Sequence, residues 1–369
     1  MTVKASSGLQ SRLEAAETLL RQEGIDMLLV SPSADLQYLT GYGGHASERP
    51  TLLVVQPGKE TVMLIPQLEA PRIAGLEGVK ALPYAETESP FALLAKTVGP
   101  AAAGTRFALS DQTWAVVLLR LQQTFAAQFE SATPLQRELR MRKGPEEIEL
   151  LARAGAMADA AFGEIIKERF AGRSERQLGD LLNEKLRGQG LSVGAWGPIV
   201  GSGPNSASPH HMTGDRVIQS GDAVVLDFGG TLEGYQADIT RTVHVDPAPD
   251  EFRRVYEVVR VAQEKGVQAA KPGAPAQSVD RATRSVIEDA GYGQYFVHRT
   301  GHGIGLEGHE EPFMIEGNQL LLEPGMTFSV EPGIYLPGRF GIRIEDIVAI
   351  TEDGARRLNQ APRDLKIVA

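Results

Sequence analysis

The chain has no cysteine, and that absence removes disulfides and thiolate metal sites together. It also suits a reducing compartment. No stretch of about 18 apolar residues is present to cross a bilayer, and Met1–Gln10 lacks the apolar centre of a secretory leader. An excess of positive charge is missing too. Thirty-seven basic residues against 47 acidic ones give a formal net charge of −10, a field that repels nucleic acid and anionic membranes. Neither is therefore expected as a partner, and a soluble cytoplasmic protein is the simplest expectation.

What is present is ordinary for a globular protein: 42% apolar and 23% charged residues. A length of 369 residues exceeds the usual single domain, so two are expected. The 40 glycines and 22 prolines are spread along the chain and signal turns, not disorder.

The first third alternates helical and strand patterns. Leu13, Ala16, Leu19 and Leu20 share one helix face, Gly24 stops that helix, and Met27–Val30 reads as a strand. Leu52–Val55 and Val62–Ile65 are strand-like, with the turn sequence Gln56-Pro-Gly-Lys59 following the first of them. Trp114–Phe125 reads as a helix. An α/β domain over residues 1–132 follows. The basic run Arg137, Arg140, Arg142 and Lys143 reads as a solvated connector. Pro145 with Glu146 and Glu147 opens a long helix, since proline suits the first turn and carboxylates favour a helix N-terminus. The second domain, residues 133–369, is α+β, with helices expected near 146–170, 175–188, 250–270 and 276–290 and strands near 223–228, 236–245, 327–331 and 341–350.

Six of the seven histidines fall between residues 210 and 309. Their acidic neighbours are more telling. Asp227 ends an apolar run and Asp238 opens another, with Gly229, Gly230 and Gly234 between them. If the two runs form a hairpin centred between Leu232 and Glu233, the two aspartates stand directly opposite, with Cβ atoms about 4.5–5.5 Å apart. Carboxylates so placed repel unless protonated or bridged by a cation. Asp227 would moreover be an unpaired charge in a buried strand, which is costly. Three more candidates follow: His302 in a glycine-rich segment, Glu331 at the end of an apolar strand, and Glu345, expected with Arg343 on one strand face. Four carboxylates balance two divalent cations, and oxygen-rich ligation favours manganese-like ions.

Taken singly, each acid is more often a salt-bridge partner. The Gly301-His-Gly-Ile-Gly305 run lacks dinucleotide-fingerprint spacing. His244 and His298 read as structural, His45 as a loop residue, and His211 as a supporting neighbour of the site.

The ordered motifs Ser208-Pro-His210, Leu226-Asp-Phe-Gly229, Ala237-Asp-Ile-Thr-Arg-Thr242, Gly301-His-Gly-Ile-Gly-Leu-Glu-Gly-His309-Glu310, Ser329-Val-Glu-Pro-Gly-Ile-Tyr335 and Arg343-Ile-Glu-Asp346 resemble those of the methionine aminopeptidase, aminopeptidase P and prolidase superfamily. The extra N-terminal region resembles that of its proline-specific branch and of creatinase. The resemblance implies a pita-bread catalytic domain behind a smaller creatinase-type domain. It implies two divalent cations, Mn2+ with Co2+ or Zn2+ as alternatives, held by Asp227, Asp238, His302, Glu331 and Glu345. The cations would ionise a shared water. It further implies Glu331 as proton shuttle, His210 and His309 as oxyanion and peptide ligands, and Arg343 orienting Glu345 and its neighbours. Tyr235 would line the pocket.

The implied substrate is an Xaa-Pro dipeptide, cut before proline. Release of the first residue from longer Xaa-Pro peptides is the alternative, and a peptide-binding protein without catalysis a remote one. Phe313 stands where many prolidases carry the arginine that binds the substrate's carboxylate. Arg49 is therefore expected to capture that carboxylate and Asp35 the free amine, from polar loops of the first domain. A homodimer is implied by the resemblance only.

Overall fold

The computed structural model describes residues 6–194 and 197–369. It divides into two compact units, Met1–Arg140 and Met141–Ala369, eight residues beyond the expected boundary.

In the first unit α1 (Ser6–Glu23) ends where expected, at Gly24, whose φ of +64° is easy only for glycine. The elements that follow are β1 (Met27–Val30), α2 (Ala34–Thr40), β2 (Leu52–Val55), β3 (Val62–Pro66) and β4 (Lys80–Tyr84). After them come α3 (Pro90–Val98), β5 (Arg106–Leu109), α4 (Ala115–Thr124), β6 (Gln128–Ser131) and α5 (Thr133–Arg140). The six strands make one mixed sheet, order β4-β3-β2-β1-β5-β6. β1, β2 and β3 are buried at every position, which is why they read as continuous apolar runs. Met27 and Leu29 pack with Leu94 of α3 and Leu121 of α4.

The basic run is not a solvated connector. Its first part is α5, with Leu135 buried, and Arg140 is buried against the Asp35 carboxylate at 2.5 Å. Lys143, in the second unit, is buried against Glu310. Buried charges persist only when paired, and these found partners more than a hundred residues away in sequence.

The second unit opens with α6 (Pro145–Ile165), Pro145 at its first turn and Glu147 closing back on the Gly144 N–H at 2.9 Å. Then come α7 (Glu175–Gly188), β7 (Ile199–Ser202), β8 (Ala223–Leu232), β9 (Tyr235–Val245), α8 (Asp250–Ala269) and α9 (Gln277–Asp289). The remaining strands are β10 (Gly301–Gly303), β11 (Glu310–Met314), β12 (Thr327–Val330), β13 (Gly333–Leu336), β14 (Phe340–Arg343), β15 (Asp346–Thr351), β16 (Gly354–Arg357) and β17 (Lys366–Val368). They form sheets of order β17-β9-β8-β7 and β11-β10-β12-β15-β16, with β13-β14 as a separate pair. No helix among the described residues is long and apolar enough to cross a membrane.

Two expectations about strands are corrected. The β8–β9 hairpin turns on Glu233-Gly234, both at positive φ (51° and 95°), the two-residue turn that matches strand twist. Asp227 thus faces Thr240, and Asp238 faces Gly229, so the aspartates are diagonal neighbours and not a direct pair. Moving the turn centre by one residue moves the register by two, so both stay on the same face. The second correction lies at 341–350, where one strand was expected. β14 ends at Arg343 and pairs with β13, whereas β15 starts at Asp346 and pairs with β12 and β16. Between them the Glu345 N–H donates to the Thr240 carbonyl at 3.0 Å, so Arg343 and Glu345 do not share a strand face.

Alternation sorts the hairpin into two faces. Val224, Leu226, Phe228, Ile239 and Val243 pack with Ala158 and Phe162 of α6 and Leu182 of α7. Phe252 and Val259 of α8 cover Ile334 and Ile342, and Val279 of α9 covers Phe328, Val330 and Val348. Helices take the apolar faces, and the faces bearing Asp227, Asp238 and Thr240 are left for polar work.

Candidate functional site

Asp238 of β9, His302 of β10 and Glu345 between β14 and β15 each offer one ligand atom, all within 4.8 Å of one another. His302 Nε2 lies 3.9 Å from Asp238 Oδ2 and 3.3 Å from Glu331 Oε1. Glycine permits this convergence. A Cβ on Gly301 would sit 1.9 Å from the Ser329 carbonyl oxygen, so β10 could not approach β12 with any other residue there.

The His302 tautomer is set by its neighbour. Gly303 O, which can only accept, lies 3.1 Å from Nδ1, so Nδ1 carries the proton. Burial, and then His309, push the ring down to about 3. The neutral ring therefore aims a bare Nε2 at carboxylate oxygens, a repulsive arrangement without a proton or cation between them. The acids carry the same signature. Burial first, and the mutual repulsion of the cluster next, drive Asp238 and Glu345 well above the usual carboxylate range. Burial pushes Glu331 up to about 7, opposed by Arg343 and reinforced by Asp227. The donor chemistry fits a hard divalent cation, three acidic side chains and one imidazole, better than it fits the chain alone.

Arg343 was expected to orient Glu345 and nearby carboxylates; its Nη2 donates to Asp227 Oδ2 at 2.6 Å, and its Nε donates to Thr240 Oγ1 at 3.1 Å. Thr240 in turn donates to Glu345 Oε2 at 2.7 Å, so the arginine reaches Glu345 only through the threonine. Its Nη1 donates to the Tyr335 hydroxyl at 2.8 Å, and that hydroxyl lies 2.9 Å from His298 Nε2. His298 Nδ1 is satisfied by the Arg299 carbonyl at 2.7 Å, and burial pushes the ring down to about 4. Tyr335 therefore donates to His298 and accepts from Arg343. Ser329 completes the frame, donating to Glu331 Oε1 at 3.1 Å.

Sequence reading missed Thr240, Tyr335 and Ser329 as parts of this frame. Each stood inside a quoted motif, and two-residue alternation from Asp238 to Thr240 was the signal available for the first.

The other expected residues lie as follows. His309 is exposed, stacks on the His302 ring at 3.7 Å, and is held below its usual range by burial and Arg299. Exposed His210 follows the short 3-10 turn Gly203–Ala207, near enough for its charge to bear on His298 and His309. His211 lies 2.7 Å from buried Glu175. His244 is a buried ring against Phe252. Tyr235 does not line this site. It stands on the opposite face of β9 from Asp238, packs with Leu151 and Ile304, and donates to Glu147 at 2.5 Å. In the first unit Asp35 lies not in a loop but in α2, committed to Arg140. Arg49 is partly exposed between Glu48 and Glu86.

Comparison with known proteins places this geometry. Residues 149–352 match metallopeptidase family M24, and residues 12–142 match the Creatinase/Prolidase N-terminal domain. The probable dipeptidase PepE of Mycobacterium tuberculosis is 39% identical over 362 residues, 97% of this chain and 96% of that one. The Xaa-Pro dipeptidase of Lactobacillus helveticus is 34% identical over 96% of this chain and 98% of its own. The crystal structure of recombinant prolidase from Thermococcus sibiricus superposes with a TM-score of 0.93 at 34% identity, covering 99% of this chain and all (100%) of that one. The expected pita-bread architecture with a creatinase-type N-terminal domain is thereby supported over the full length. The chain belongs to metallopeptidase family M24.

Proposed function

We propose that this metallopeptidase hydrolyses the peptide bond preceding proline, and that its preferred substrates are Xaa-Pro dipeptides. The observation carrying the chemistry is the group of Asp238, His302 and Glu345, whose donor atoms converge within 4.8 Å while burial and mutual repulsion drive the two acids upward. Proline specificity is supported by the full-length likeness to the Xaa-Pro dipeptidase and prolidase relatives.

Asp227, Asp238, His302, Glu331 and Glu345 would hold two divalent cations, with Mn2+ suited to the oxygen-rich set and Co2+ or Zn2+ as substitutes. Bound there, they supply Lewis-acid polarisation and a lowered pKa for a water molecule. Glu331, which the chain alone brings to about 7, takes a proton from the attacking water and delivers it to the proline nitrogen. The C–N bond then breaks with a neutral amine leaving. His309 donates from Nε2, because Arg299 Nη2 lies 3.4 Å from its Nδ1 and claims that nitrogen as acceptor. His309 and His210 thus supply hydrogen bonds to the developing oxyanion and the peptide. Arg343 holds Asp227 directly and Glu345 through Thr240. A cytoplasmic homodimer belongs to the same reading.

The test is a peptide-length assay on the chelated protein after manganese is restored. Ala-Pro should be cleaved and Ala-Pro-Ala spared, with both reactions abolished by chelation. Cleavage confined to the tripeptide would assign an aminopeptidase instead, and activity indifferent to chelation would sink the metal-dependent reading.

A further inference from the structure

One cation at the rim of the acidic cluster enters the arrangement described above only through its contact with His309. Arg299 precedes His302 by three residues, and its guanidinium carbon lies 4.2 Å above the Phe313 ring. Its Nη2 is 3.4 Å from His309 Nδ1, and His309 stacks on His302 at 3.7 Å. The guanidinium is therefore one aromatic ring removed from the imidazole that faces Asp238 and Glu331.

The contrast with other arginines of this unit is chemical. Arg343 and Arg241 each have a carboxylate within 2.6 Å, and Arg284 has one at 3.0 Å, whereas Arg299 has no carboxylate within ion-pair distance among the described residues. Five N–H donors and one weak, long contact leave a planar fork still open. Stacking on Phe313 fixes the plane of that fork, and a fixed planar fork is matched to a carboxylate.

A dipeptide cut at its only peptide bond carries its C-terminal carboxylate three bonds from the scissile carbonyl carbon, no more than about 4 Å away. The Arg299 guanidinium, 3.4 Å from the ring that stacks on His302, borders the same centre on that side. Resting on the dipeptidase reading, we infer that Arg299, braced on Phe313, binds the C-terminal carboxylate of the substrate and makes the site select dipeptides. Arg49, the cation expected from sequence, already lies between the carboxylates of Glu48 and Glu86.

The experiment compares Ala-Pro with Ala-Pro amide, which lacks only the charge, in the manganese-loaded wild type, Arg299→Ala and Arg299→Lys. Arg299→Ala should lose about 10- to 100-fold more in kcat/KM on Ala-Pro than on the amide, the excess mainly through KM, while the loss common to both substrates reads its hold on His309. Arg299→Lys, which keeps charge but not the stacked fork, should fall between them. Equal losses on both substrates would overturn the inference and reduce Arg299 to a support for His309, as would an unchanged Ala-Pro reaction in Arg299→Ala. A wild type that cleaves neither compound with manganese would instead overturn the dipeptidase reading, and this inference with it.

Discussion

Glu345 and Asp346 are consecutive, both almost wholly buried, and yet treated in opposite ways by the fold. Asp346 is 0% exposed, and its Oδ1 accepts from Arg241 at 2.6 Å. Its Oδ2 accepts from Gln263 at 3.2 Å and Arg357 at 3.4 Å, with Arg363 at 3.9 Å. Glu345 is 2% exposed, its carboxylate accepts one hydrogen bond among the described residues, from Thr240, and its charged neighbours are mostly other acids. The chain balances the first charge itself. It leaves the second, with Asp238 and Glu331, to be balanced by something it does not encode. A buried carboxylate without cationic company is a poor structural element and a good ligand, and this difference separates a working site from a stabilising one.

Breaking each member of the pair should have opposite consequences. Asp346→Asn strands the buried Arg241 guanidinium, and losing one partner of a buried pair costs about 3–5 kcal/mol. A chemical denaturation midpoint well below wild type, with or without manganese, is the expected result. Glu345→Gln removes a like charge from a repelling cluster, so the metal-free protein should be at least as stable as wild type. Its activity on Ala-Pro should nevertheless fall by more than about 100-fold, beyond the loss typical of an outer partner of a metal ligand. If Glu345→Gln destabilises the metal-free protein as Asp346→Asn does, the two carboxylates are alike and the contrast is empty.

Acidity sharpens the same comparison. Glu331 rises from its ordinary 4.5 to about 7, so between those values the folded chain holds a proton that the unfolded chain has released. Stability then decreases as pH climbs through that window. For the metal-free protein the loss between pH 4.5 and 7 is on the order of 3 kcal/mol from this group, in a side chain only 15% exposed, and the upward shifts of Asp238 and Glu345 act in the same direction. A divalent cation should remove the penalty, so manganese should raise the melting temperature more at pH 7 than at pH 5. An equal rise at both would mean that the acids carry no protons for the cation to displace.

How much of this was open to sequence reading follows from the range of the interactions. The helix stopped by Gly24, the turn over Gln56–Lys59 with Gly58 at φ +75°, and the fully apolar strands β1 and β2 are local, and spacing located them. Asp227 and Asp238 were expected on one face through a register that was wrong by two residues, which two-residue alternation forgives. The break at Ile344-Glu345 was not legible, because it is made by a hydrogen bond to Thr240, some hundred residues earlier. For the same reason Arg140 read as solvated, since its partner Asp35 is brought to it only by the fold. Charges could be found in the sequence, but which of them the fold would neutralise could not.

The smallest effect concerns Thr240, a side chain standing between Arg343 and Glu345. Its hydroxyl accepts from Arg343 Nε at 3.1 Å and donates to Glu345 Oε2 at 2.7 Å, so the hydrogen bonding of the arginine reaches Glu345 through the threonine. Thr240→Val keeps the shape and β-branching of a wholly buried position and deletes this relay. The loss should be about 1 kcal/mol in metal-free stability. Manganese affinity should weaken by about 10-fold, because Glu345 loses the contact that aims it. Thr240→Ser should restore both. A valine variant with native metal affinity would mean that Glu345 is aimed by its backbone bond to the Thr240 carbonyl alone, and the relay would then hold Arg343 in place for Asp227 and not serve Glu345.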